Sequence, residues 1–132
     1  MNLTTALQFF IRSDEKGLQL DFFRDDGQVL LQIYKGNEVA TWNKVYVIDE
    51  NELLLLLRFH KSKTDNESNF NRFMSLNTFT QFRKIKDQNQ IFYYQPVSAT
   101  TKIPMLQRKI LDIIFDVYDL RSNQFSFTLN AY

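Results

Sequence analysis

The alternation of apolar and polar residues predicts a β-meander in the first third of the chain. Leu18, Leu20 and Phe22 occupy every second position, which is the period of a strand with one buried face. Three segments have this strand-like character: residues 18–23, 28–34 and 39–48. Polar turn sequences separate them: RDDG at 24–27 and KGNE at 35–38. Because these turns are short, we expect three consecutive antiparallel strands.

A helix is predicted to follow the meander. Asp49 has Glu52 three positions later, a spacing that resembles a capping box with Asp in place of Ser or Thr. Residues 53–57 are five consecutive leucines, so this helix would be apolar on all sides and would need cover on all sides. A partner subunit or the rest of the same chain can supply that cover. The candidate oligomer interface consists of Leu53, Leu54, Leu56 and Leu57.

The second half of the chain is predicted to repeat this plan. Residues 61–71 are polar and aperiodic, and we interpret them as a surface loop. Strand-like alternation returns in three segments: residues 76–85, 90–97 and 124–130. A long helix is predicted from Pro104 to Leu120 because its apolar residues recur at helical spacing.

The predicted fold is a single α+β domain over residues 1–132. It consists mainly of antiparallel sheet in two units of meander plus helix, at 1–63 and 72–132, with the helices packed on one side and available for oligomerisation. Residues 4–12 are interpreted as a further strand, and a short helix is the alternative.

Composition limits the function classes. With 132 residues, 44% of them hydrophobic, the chain has enough apolar surface for one core. It contains no cysteine, which excludes a disulfide framework, a thiolate metal site and a cysteine nucleophile. We therefore expect an intracellular protein of the cytoplasm, nucleoid or nucleus. The longest apolar run, residues 53–57, is far shorter than a membrane span.

Catalytic chemistry has few candidate residues. His60 is the single histidine, and it has no cysteine with which to form a zinc site or a nucleophilic pair. Asp112, Asp116 and Asp119 are spaced along one predicted helical face. They suit a hard cation, but a solvated helix face explains them better. Glycine-rich phosphate loops are absent. We expect no enzyme, no cofactor and no metal.

A mixture of aromatic and basic residues is the remaining candidate for function. The net charge is only +1, yet the segment from Arg58 to Lys109 contains ten basic and three acidic residues. Single-strand nucleic-acid binders combine rings that stack on bases with cations that neutralise phosphates. The candidate nucleic-acid-binding residues are Trp42, Lys44, Tyr46, Phe82, Arg83, Lys84, Lys86, Phe92, Tyr93 and Tyr94. The same rings serve equally well to fill a core.

The segment WNKVYVIDENELLLLL at 42–57, and the meander-plus-helix layout around it, resemble the Whirly, PC4-like and PUR group of single-strand nucleic-acid binders. That resemblance implies binding of single-stranded DNA or RNA on a curved antiparallel sheet, with the helices packed into a homo-oligomer. The chain departs from the group in its near-neutral charge. The alternative is a protein-interaction or chaperone-like accessory subunit that does not bind nucleic acid.

Overall fold

A computed structural model describes residues 2–42, 46–60, 64–87, 90–121 and 123–131. In these residues the chain forms four α-helices, one 3-10 helix and six strands. In chain order they are α1 (Leu3–Arg12), β1 (Leu18–Arg24), β2 (Val29–Lys35), α2 (Gly36–Trp42), β3 (Glu52–His60), α3 (Thr64–Ser75), the 3-10 helix Asn77–Gln81, β4 (Arg83–Asp87), β5 (Gln90–Ser98), α4 (Ile103–Tyr118) and β6 (Phe125–Ala131).

The six strands form one open antiparallel sheet in the order β4-β5-β3-β2-β1-β6. The predicted α+β class with a mainly antiparallel sheet is confirmed. The element order hairpin, helix, strand occurs in both halves of the chain. The halves share one sheet, however, because β3 pairs with β5 along its full length.

Helices pack on both faces of the sheet, not on one as predicted. Helices α1, α3 and α4 pack on one face, where Phe10, Phe73 and Ile110 share a core cluster with β-strand leucines. The opposite face has a smaller cluster, in which Val39 of α2 packs with residues of β2, β3 and β5. The segment after β2 therefore lies on the second face instead of adding a strand.

The predicted helix over residues 53–57 is wrong, because these leucines form the centre of β3. Leu53, Leu55 and Leu57 contribute to the larger core cluster, and Leu54 and Leu56 to the smaller one. A strand buried on both faces is apolar at every position, so it lacks the period that separates strand from helix. All five side chains are at most 2% exposed.

The same burial makes the oligomer-interface assignment wrong: Leu53, Leu54, Leu56 and Leu57 are enclosed by their own chain. The capping pair that suggested a helix does exist as a local contact. The Asp49 N–H donates to the Glu52 carboxylate at 2.9 Å, and the Glu52 N–H donates to the Asp49 carbonyl at 3.1 Å. These reciprocal hydrogen bonds close a turn that leads into β3.

The predicted third strand at 39–48 is also wrong, since α2 occupies residues 36–42. Gly36 explains the abrupt change from strand to helix. A Cβ at this position would lie within 2.6 Å of the Glu52 carbonyl oxygen and even closer to that of Asp49. Only glycine permits this close backbone approach without a shift. Val39, completely buried, then anchors α2 on the sheet.

Two further segments predicted as non-helical are helices. Residues 4–12 belong to α1, in which Asn2 caps the first turn by accepting a 2.8 Å hydrogen bond from the Thr5 N–H. Most of the predicted loop at 61–71 belongs to α3. Its sequence is polar, but Phe70 and Phe73 hold it against the Phe59 ring at 5.5 Å centroid distances.

The remaining predictions are largely confirmed. The β1–β2 hairpin and β5, α4 and β6 lie where the alternation and the helical spacing placed them. The strand expected at 76–85 is confirmed only from Arg83 onward, because a 3-10 helix precedes it. The turn expected at 86–89 lies partly outside the described residues. Pro96 follows the part of β5 that pairs with β4, so its missing N–H faces a free edge.

Candidate functional site

Three of the predicted base-stacking rings are part of the core. Phe82 and Tyr93 lie 5.3 and 4.9 Å from the Phe73 ring, measured between centroids. Burial raises the pKa of the Tyr93 hydroxyl. Tyr94 lies on the other face, edge-on to Tyr46 at 5.0 Å. The three rings are 9%, 4% and 3% exposed, so a nucleic acid has no access to them.

The other predicted rings do not form a stacking platform either. Tyr46 and Phe92 are half-buried, and the Tyr46 ring packs against Tyr94. Trp42 belongs to α2 and not to a strand, and Lys44 lies outside the described residues. Trp42, Lys44 and Tyr46 therefore do not share the face of one strand, as the predicted third strand implied.

The predicted basic residues, in contrast, are accessible. Arg83, Lys84 and Lys86 are exposed on β4, which is an edge strand of the sheet. The Arg83 guanidinium lies 5.9 Å from the Tyr94 ring centroid and donates to the Val47 carbonyl at 3.0 Å. Because side chains alternate along a strand, Arg83 projects to one face and both lysines to the other. The charges thus follow the sheet edge and do not line one concave surface.

A groove lies between α4, the end of β5 and the 3-10 helix. Its volume is about 470 Å³. The apolar lining consists of Phe82, Val97, Met105, Leu106 and Ile113. Met105 is 64% exposed, and methionine adapts its shape readily to different apolar ligands. Among the described residues, no strand pairs with the outer edge of β5 here, because its pairing with β4 reaches only as far as Tyr94, opposite Arg83.

Polar groups surround this apolar lining. Lys109 donates to the Gln81 side-chain oxygen at 3.4 Å, a long contact for a cation. Partial burial lowers the pKa of Lys109. The Gln95 amide group donates to the same oxygen at 3.2 Å. The side-chain oxygen of Gln95 is buried and has no hydrogen-bond partner among the described residues. The Lys109 ammonium thus contacts an amide oxygen, and the carboxylates of Asp112 and Asp116 line the same groove without an ion-pair contact to it among the described residues.

A buried polar cluster occupies the second face of the sheet near β1. The Asp21 carboxylate is 4% exposed and accepts amide hydrogen bonds from Gln19 at 2.8 and 3.0 Å, Gln32 at 3.1 Å and Asn130 at 2.9 Å. These donors satisfy both carboxylate oxygens, as burial of a charge requires. Burial raises the pKa of the nearby Tyr34, and the Asp21 charge adds to this effect. These hydrogen bonds join β1, β2 and β6, and this structural role is enough to explain the cluster.

The structure separates Asp119 from the other two aspartates of the predicted helical face, whereas Asp112 and Asp116 both line the groove beside α4. Asp112 pairs with Arg108 at 3.2 Å, and Asp119 pairs with Arg72 of α3 at 3.4 Å. Asp119 also ends α4 in a left-handed conformation, with φ at 55°, and leaves the helical face. The described part of the chain contains no group of three His, Cys, Asp or Glu side chains that is arranged to hold a metal ion. His60 ends β3 and not a helix.

Sequence reasoning missed the groove. The spacing of Met105, Arg108, Lys109 and Asp112 along α4 identifies one helical face with an exposed apolar residue among charges. The other groove wall comes from residues that are distant in sequence, such as Gln81 and Gln95, and no local pattern connects them to α4.

Comparisons of the chain with family models, curated proteins and solved structures give no match. The resemblance to the Whirly, PC4-like and PUR group stays a prediction. Residues 53–57 of this chain form a strand where that resemblance required a helix. Among the described helices, none combines the length and apolar character that crossing a membrane requires.

Proposed function

We propose that this chain is a non-catalytic protein-binding module that holds a segment of a partner chain in the groove beside α4. The observation that carries the proposal is the apolar groove lining next to the Lys109 ammonium, which has no carboxylate in ion-pair contact among the described residues. Sites of this kind bind through a buried apolar anchor and gain specificity from a few polar groups around it.

The chemistry of the groove defines the partner segment. An apolar side chain fits the space between Met105, Val97 and Ile113, which line the same groove. A carboxylate next to that anchor meets the Lys109 ammonium, whose hydrogen-bond partner among the described residues is an amide oxygen at 3.4 Å. Arg108 is less available, since Asp112 already neutralises it. We therefore expect a partner segment with an apolar anchor followed or preceded by an acidic residue.

A displayed library of random peptides tests this proposal. We expect selected peptides to contain an apolar residue beside Asp or Glu. Met105→Glu should abolish their binding, because it places a charge at the apolar opening, and Lys109→Gln should weaken it. Met74→Glu is the matched control, since Met74 is an exposed methionine of α3 that does not line the groove. Equal binding of the selected peptides to Met105→Glu and to the wild type would refute the groove as the site.

Single-strand nucleic-acid binding is a second candidate, supported by the exposed cations of β4. Three phosphate contacts by Arg83, Lys84 and Lys86 would give a log-log salt slope of about −2 for a single strand. Fluorescence polarisation with labelled single-stranded DNA and RNA at two salt concentrations measures this slope. Lys84→Ala should reduce the slope, whereas Lys102→Ala, an exposed lysine before α4, should not. Absence of binding at low salt would reject this function.

A further inference from the structure

The outer edge of β6 has no paired strand in the part of the chain that the structure describes. Strand β6 is last in the sheet, and its inner edge pairs with β1 in continuous register from Leu18↔Ala131 to Arg24↔Phe125. Among the described residues, no strand pairs with the other edge. A strand in this position presents a row of N–H and C=O groups that can pair with another chain.

The two edges of the sheet differ in the features that prevent such pairing. The edge strand β4 has the sequence RKIKD, and charged side chains on an edge discourage the addition of a further strand. The edge strand β6 has the sequence FSFTLNA. It contains no charged residue, no proline and no bulge in its pairing with β1. The β6 edge therefore lacks the protection that β4 has.

The side chains of β6 also leave apolar surface uncovered. Phe125, Phe127 and Leu129 are only half-buried on the helix-covered face. The rings of Phe125 and Phe127 lie 6.4 and 5.9 Å from the Phe22 ring, which covers them from the β1 side. The neighbouring helix α1, which packs against β1 and β6, presents Phe9 at 46% exposure. Both β6 and α1 thus leave apolar side chains partly exposed.

We propose that β6 pairs antiparallel with β6 of a second copy of this chain, around a two-fold axis at Thr128. This arrangement joins two six-stranded sheets into one. It places Phe127 opposite Leu129 of the partner subunit on one face and Ser126 opposite Asn130 of the partner subunit on the other. Apolar residues then meet apolar residues and polar residues meet polar ones. An antiparallel pair of identical strands satisfies the self-complementarity that a two-fold interface requires.

A second copy fits this edge better than a charged partner segment does, because the edge is neutral and has the same apolar and polar pattern in both directions from Thr128. The strand pair is small compared with the roughly 800 Å² per partner of a standard stable interface. Further surface must therefore contribute, and we expect it to include the exposed Phe9 of the neighbouring helix α1. We expect a dimer of modest affinity, with a Kd of about 10 to 100 µM.

Sedimentation velocity of the wild-type protein tests the association, and cysteine cross-linking tests its geometry. The chain contains no cysteine, so single-cysteine variants report one position each. At the two-fold axis, the Thr128→Cys side chains of two copies face each other and should form a disulfide-linked dimer on mild oxidation. In Ser126→Cys the two thiols are four strand positions apart, about 13 Å, which is too far for a disulfide. Thr100→Cys, in an exposed turn beyond β5, is the control.

A dimer at about 100 µM that cross-links through Thr128→Cys, and not through Ser126→Cys or Thr100→Cys, supports the proposal. A monomer at that concentration, or cross-linking that does not depend on the position of the cysteine, overturns it. The double variant Ser126→Lys with Thr128→Lys should be monomeric and folded, because both side chains are exposed and the substitutions add charges to the edge. Met105→Glu should leave the dimer unchanged, so failure of the groove and failure of the β6 interface are distinguishable.

Discussion

Truncation of Leu57 distinguishes the observed central strand from the helix that the leucine run suggested. Leu57 is fully buried in β3 and lies opposite Tyr93 of β5. In a central strand, Leu57→Ala removes core packing and lowers the stability of the subunit itself. In an exposed helix at a subunit interface, the same substitution would mainly weaken association. The two placements therefore predict different dependences on protein concentration.

The expected loss follows from the complete burial of the side chain. Leucine-to-alanine substitutions at such sites cost about 3 kcal/mol or more, since the lost transfer free energy and the residual cavity add. An unfolding entropy of about 2.1 cal/mol/K per residue gives about 0.28 kcal/mol/K for a chain of this length. The Tm should therefore fall by about 11 °C. A domain with a typical stability of about 5 to 15 kcal/mol remains folded after this loss.

Urea unfolding followed by circular dichroism measures the change in the free energy of unfolding. The difference between Leu57→Ala and the wild type should be the same at two protein concentrations that differ tenfold. Met105→Ala is the control, because Met105 is 64% exposed and its truncation should change the free energy by no more than about 0.5 kcal/mol. A loss below about 1 kcal/mol for Leu57→Ala, or a difference that changes with concentration, would refute the central-strand placement.

Four further substitutions test local features. Gly36→Ala should lower the free energy of unfolding by about 3 kcal/mol, because a Cβ there clashes with backbone carbonyls. Gly27→Ala should lower it by only about 1 kcal/mol, because Gly27 has φ at 89° but open space around it. Thermal unfolding of both variants compares the two effects. Tyr118→Phe should cost about 1 to 3 kcal/mol, since the buried hydroxyl donates to the Leu30 carbonyl. Burial raises the pKa of Tyr118. The stabilisation is therefore complete below the ordinary tyrosine pKa of about 10 and is lost as the pH rises from there through the raised value. Unfolding experiments on the wild type and on Tyr118→Phe from pH 8 to 11.5 should show a smaller alkaline loss of stability in the variant. Lys109, whose pKa burial lowers, should titrate below the ordinary lysine value in an NMR titration, and stability should increase as the pH rises through that lowered pKa. In Lys109→Gln this increase should be absent.

The local patterns succeeded where one face of an element is solvated. The β1–β2 hairpin and β6 alternate because one side of each strand is more exposed than the other. Helix α4 has apolar residues at helical spacing for the same reason. Patterns failed where tertiary contacts override local preference. Strand β3 has no period because both its faces are buried, and α3 is a polar segment held by Phe70 and Phe73.

The candidate site was predictable only in part. The exposure of Arg83, Lys84 and Lys86 agrees with the general behaviour of cations, which stay in water. The orientation of the aromatic rings was not predictable, since a ring in a strand suits a core as well as a stacking surface. The groove beside α4 was missed because its walls come from segments that only the fold brings together.

The sequence by itself determined the α+β class, the two hairpins and the long amphipathic helix, because these depend on contacts between near neighbours in the chain. Only the tertiary structure decided that β3 lies between β2 and β5, and that the rings of Phe82, Tyr93 and Tyr94 are buried. It also decided that the uncharged strand β6 lies at the edge of the described sheet. Sheet pairing connects residues as distant as Leu18 and Ala131. No local pattern encodes a pairing of that separation, and the location of every binding surface proposed for this protein depends on it.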